Sequence, residues 1–111
     1  MVKLLLTFEP SIRKDLETWL KSEKERCERD VPKKLNGNRV TRMLQNQWRK
    51  RMGFEFPSQF DYVFQNLNEC LLIFHLPELP IPKLNYVGNL LAIGVQNRFK
   101  KEFVRVKVYA G

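Results

Sequence analysis

Lys33, Lys34, Arg39, Arg42, Arg49, Lys50 and Arg51 fall between Val31 and Phe54, a stretch that holds no carboxylate. Cations without local counter-charges project their summed potential into solvent and attract polyanions. Arg donates bidentately to phosphate or to guanine. A second basic group, Arg98, Lys100, Lys101, Arg105 and Lys107, is interleaved with Phe103 and Tyr109, rings on which an unstacked base could rest. The stretch before Val31 is built differently: Glu17, Lys21, Glu25 and Arg29 alternate in sign at helical i,i+4 spacing and support one another. With 20 basic and 12 acidic residues the chain carries a formal charge of +8, the electrostatic footprint of a nucleic-acid binder.

Other chemistries lack their residues. Cys27 and Cys70 are far apart and His75 is the single histidine, too few ligands for a clustered zinc site. The two cysteines are expected as reduced structural thiols. His75 lies in the apolar run from Leu71 to Leu76 and is expected as a hydrogen-bonded core imidazole. No Gly-rich phosphate loop or nucleophile elbow occurs. These features describe a non-enzymatic protein with no cofactor and no metal. Leu4 to Leu6 is too short for a signal segment, and no 18-residue apolar stretch could cross a bilayer. The expectation is a soluble, cytoplasmic protein without a membrane partner.

The positioning elements follow from periodicity. Val2 to Phe8 alternates as a strand, with Leu4, Leu6 and Phe8 on one face and Lys3, Leu5 and Thr7 on the other. Pro10 and Ser11 open an amphipathic helix carrying Ile12, Leu16, Trp19, Leu20 and Cys27 on one stripe, ending near Arg29 before Pro32. Asn38 can cap a second helix to about Met52, with Gly53 beyond it. On that helix Val40, Leu44, Trp48 and Met52 form the expected buried arc, and Arg39, Arg42, Asn46, Arg49 and Lys50 the opposite one. Phe60, Val63, Phe64, Leu67 and Leu71 fit a third helix, although Cys70 to Leu76 also suits a buried strand. Pro77, Pro80 and Pro82 suggest a rigid extended connection. Tyr86 to Val95 leans helical despite Gly88 and Gly94, and Phe103 to Tyr109 alternates as a strand with Val104, Val106 and Val108 inward. The fold expected is α+β: a short N-terminal strand, two amphipathic helices, and a mixed C-terminal part ending in a strand. Residues 1–56 form a basic strand-helix-helix unit and 57–111 a packed extension of a single compact domain.

The run Lys3-Leu4-Leu5-Leu6-Thr7-Phe8-Glu9-Pro10-Ser11-Ile12, followed by Leu16 and Trp19 and then Asn38-Arg39-Val40-Thr41-Arg42-Met43-Leu44, resembles the ribbon-helix-helix DNA-binding proteins, with an apparent insertion between the helices at Lys21 to Gly37. The resemblance implies a homodimeric transcriptional regulator. Strands of two protomers would pair into a ribbon in the major groove, Lys3 and Thr7 would read bases, and the helix start near Asn38 and Arg39 would hold a phosphate. Duplex DNA is then the favoured partner.

Three further readings share the charge pattern. The helix from Asn38 to Met52 could itself enter the major groove through Arg39, Arg42, Asn46 and Arg49. The N- and C-terminal strands could share one sheet and hold RNA or single-stranded DNA against Phe103, Arg105, Lys107 and Tyr109. A small accessory or inhibitory subunit could instead dock on a larger nucleoprotein complex, its basic helices occupying a nucleic-acid path or bridging protein and nucleic acid; Lys33, Lys34, Lys50, Arg98, Lys100 and Lys101 complete the candidate nucleic-acid contacts.

Overall fold

A computed structural model describes residues 1–31, 37–49, 53–76 and 79–111. The alternating N-terminal segment forms β1 (Val2–Phe8), and its Val2, Leu4, Leu6 and Phe8 are buried. A 3-10 turn (Pro10–Ile12) leads into α1 (Arg13–Asp30), whose Leu16, Leu20 and Cys27 are buried at the spacing of one helical stripe. Next comes α2 (Gly37–Arg49), so Asn38 sits inside the first turn rather than capping it from outside. The strands β2 (Phe60–Asn66) and β3 (Glu69–Phe74) form a hairpin, α3 runs Ile81–Phe99, and β4 (Val104–Ala110) closes the order.

The antiparallel sheet has the strand order β2-β3-β1-β4. Element order and strand order together are those of the split βαβ arrangement, with α2 added between the first helix and the second strand. The mixed α+β class, with its N-terminal and C-terminal strands, is as expected. α1 packs on β2, α3 packs on β4 and β1, and α2 packs on α3, so the helices lie on one side of the sheet. β1 hydrogen-bonds to β3 on one edge and to β4 on the other. Both its edges are used within the chain, so the two-protomer ribbon implied by the resemblance has no free edge on β1 from which to form. The sequence boundary at residue 56 does not divide the core either, because a strand from before it lies between two strands from after it.

The segment expected as a third helix is the β2–β3 hairpin, with β3 matching the strand alternative at Cys70 to Leu76. Phe60, Tyr62 and Phe64 point to the helix side with Cys70, Leu72 and Phe74, while Val63 and Leu71 face away. Apolar side chains on both faces hide the period of two and leave an apparent helical spacing. The turn is fixed locally: the Asn66 side-chain oxygen accepts from the Asn68 backbone N–H at 3.0 Å, and its Nδ2 donates to Glu69 at 2.6 Å. Pro80 precedes α3 and Pro82 lies in its first turn, where a missing N–H costs no helical bond, so these two prolines start a helix instead of forming an extended strut, while Pro77 lies outside the described residues. Gly88 and Gly94 are packing notches in that helix. A Cβ at Gly88 would run into Val108 of β4, and one at Gly94 into the ring of Phe54.

Candidate nucleic-acid interface

Segment 53–59 is anchored on α1 by a half-buried ionic clamp. Glu23, 7% exposed, accepts from the Phe56 backbone N–H at 3.0 Å and from Arg26 Nη2 at 2.8 Å, while Arg26 Nη2 also donates to the Phe56 carbonyl at 2.6 Å. Gln47 of α2 donates to the Glu55 carbonyl at 2.9 Å and accepts from the Glu55 N–H at 3.2 Å. These bonds set Phe54 on Gly94 and join α2 to the C-terminal half of α3.

Two clefts result. The first, about 420 Å³, is lined by Gln47, Trp48, Gly53, Phe54, Gly94, Asn97 and Arg98. The second, about 590 Å³, lies between α1 and the end of α3, against Lys14, Thr18, Trp19, Arg98, Lys100 and Phe103 among others. Arg98 lines both. Its guanidinium stands 6.0 Å from the Trp19 ring centroid and 5.2 Å from that of Phe99, and its donors have no acceptor among the described residues. Lys14 and Lys100 likewise have no ion-pair partner there; Asp15 is the one carboxylate on the second cleft's wall. Trp19 packs on Phe56 and Phe99, at 4.9 and 5.2 Å between centroids, so the floor is part of the core. Lys100 ends α3 with φ 73 and ψ 140, a backbone conformation that glycine takes at little cost and lysine does not.

The expected site residues separate into three surfaces. Lys3 and Thr7 of β1 join Arg105 and Lys107 of β4 on the sheet face opposite the helices, with Tyr109 beside Lys107. Phe103 departs from that set and lines the second cleft. Arg98 and Lys100 meet in the clefts, with Lys101 exposed in the turn that follows. Asn38, Arg39, Arg42, Asn46 and Arg49 lie along the exposed stripe of α2, on the helix side. Lys33, Lys34 and Lys50 lie outside the described residues.

Two assignments change. Trp48 is 41% exposed and lines a cleft with Gly94, Asn97 and Arg98 of α3, although Val40 and Leu44 of the same arc are fully buried; Met52 lies outside the described residues. His75 is exposed at the end of β3, with Nε2 3.9 Å from Asp61 at the sheet edge, so it is not a core imidazole. The cysteines are free and buried as expected; burial pushes Cys27 up to about 11 and Cys70 to about 12, leaving both protonated and unreactive at neutral pH.

Sequence reasoning passed over Lys14, Phe54 and Asn97, and assigned Trp19 and Trp48 to the core. A ring that lines a groove and a ring that fills a core share the same helical spacing. Among the described residues no helix is long and apolar enough to cross a membrane. Comparison of the chain with protein-family models, curated proteins and solved structures found no match.

Proposed function

We propose that this is a non-enzymatic, cytoplasmic single-stranded nucleic-acid-binding protein whose strand runs through the two clefts joined at Arg98. The observation that carries the reading is Arg98 itself: a guanidinium without an acceptor among the described residues, seated on aromatic rings and shared by both clefts. Trp48 in one cleft and Phe103 in the other offer ring faces for bases, and Lys14, Arg98 and Lys100 supply charge for the phosphates between them. Asn97 adds an amide at the first cleft. Clefts lined by aromatic rings suit splayed bases better than a duplex, whose bases are already stacked.

A second reading rests on α2, where Arg42, Asn46 and Arg49 recur on one stripe of a helix that has no acidic residue. Such a stripe could lie along duplex DNA, as in a DNA-binding regulator.

Equilibrium binding to labelled single-stranded RNA, single-stranded DNA and duplex DNA across a salt series separates the two. Single strands are expected to bind more tightly, with a log–log salt slope of about −0.7 per phosphate neutralised. Trp48→Ala is expected to cost about 1–3 kcal/mol on a single strand. Duplex preference lost in Arg42→Ala and Asn46→Ala, with Trp48→Ala silent, would move the assignment to α2.

A further inference from the structure

The face of the sheet turned away from the helices has no covering element among the described residues, and its residues are sorted by position. In register across it run Asp61, Ile73, Lys3 and Tyr109, then Val63, Leu71, Leu5 and Lys107, then Glu69, Thr7 and Arg105. Its middle is aliphatic: Leu5, Leu71 and Ile73 are half-buried on the two central strands, and Val63 is 48% exposed beside them. The β4 side carries Arg105 and Lys107, with Lys3 next to them on β1, and none has an ion-pair partner among the described residues. The β2–β3 side carries Glu69 and Asp61. Asp61 is already held by Lys24 at 2.9 Å, so Glu69 is the principal free carboxylate, one oxygen of it accepting from Asn66.

We infer that a second copy of this chain docks on this face, forming a two-fold dimer with its axis parallel to the strands. That rotation places β2 of each copy over β4 of the other and β3 over β1. The aliphatic middle then meets itself, and Glu69 of each copy approaches the Arg105 edge of the other, twice by symmetry. The alternative axis, across the strands, would set β4 on β4 and oppose like charges. Two sheets packed this way lie about 10 Å apart with their strands near parallel. The aliphatic middle selects protein over nucleic acid, since bases stack on aromatic rings and the two central strands present none on this face. Side chains that would otherwise leave an apolar strip in water gain a dry contact. The dimer is independent of the cleft reading, because the clefts lie on the helix side and remain open in it.

The mass in solution tests it, measured on the whole chain without nucleic acid. The wild-type chain is expected to double from its 13.3 kDa monomer as concentration rises. Leu71→Glu, on the exposed face, is expected to abolish the doubling while circular dichroism is unchanged. Arg105→Glu and Glu69→Arg are each expected to be monomeric alone and to dimerise when mixed, since only the mixed pair restores opposite charges at both symmetry-related contacts. A wild-type chain that stays monomeric, a Leu71→Glu dimer, or charge variants that fail to recover on mixing would overturn the proposal. Single-strand binding abolished by Lys107→Glu in a monomeric chain would also overturn it, giving this face to nucleic acid instead.

Discussion

Arg26 near the end of α1 and Arg98 near the end of α3 are the same residue type in opposite situations. Arg26 meets Glu23 and the Phe56 carbonyl within 2.8 Å, and its position serves the fold. Arg98 lies against the rings of Trp19 and Phe99, and its donors have no acceptor among the described residues. The balanced charge pattern of α1 and the carboxylate-free stretch that follows it differ in the same way along the sequence. Charge that has a partner holds structure, and charge that lacks one is available for binding.

The largest effect that would break this comparison is on the Arg26 side. Glu23→Ala removes the acceptor for the Phe56 N–H and strands a half-buried guanidinium, which should cost about 2–4 kcal/mol of stability. Chemical denaturation measures it, and a variant of wild-type stability would refute the clamp. On the other side, Arg98→Ala should leave the denaturation midpoint unchanged and weaken single-strand affinity about tenfold or more, equally across sequences. Loss of stability without loss of binding would reverse the roles assigned to the two arginines. Lys100→Gly sharpens the point, because it relieves an unfavourable backbone conformation and should add about 1 kcal/mol of stability while reducing affinity.

The smallest effect belongs to a partnered pair at the surface. The hydrogen bond from Lys24 holds the Asp61 carboxyl below the usual range and raises the Lys24 ammonium in turn. The Asp61 contribution is therefore present above the ordinary carboxylate pKa and fades as pH falls through the depressed one. The Lys24 contribution is present below the ordinary lysine pKa and fades as pH rises through the raised one. Asp61→Asn should cost under about 1 kcal/mol in neutral buffer and nothing in strong acid, as paired thermal melts would record.

How much of this was legible in the sequence depended on whether one face of an element was wet. β1, α1 and β4 each have a face polar enough to show their period, and their positions were read within a few residues. Within the β2–β3 hairpin, β2 was misread as helix because Val63 and Leu71 make the outer face apolar as well, whereas β3 matches the strand alternative at Cys70 to Leu76. Gly88 and Gly94 argued against a helix on propensity, whereas their role is close packing against Val108 and Phe54, which only the assembled fold reveals. The basic residues could be named but not grouped. Lys14 and Arg98 come from different helices, and nothing local in either helix announces that they share a cleft.

The central place of β1 bears on how the chain is made. Its two neighbours, β3 and β4, begin at Glu69 and Val104, so β1 is synthesised well before either and waits for both. At roughly 5–20 residues per second that wait is on the order of 5–20 seconds, during which the run Leu4-Leu5-Leu6 has no native partner on at least one edge. α1 can form meanwhile, but it has no finished sheet to rest on. Slow folding dominated by distant contacts follows, together with a period of exposure to aggregation while β1 remains unpaired.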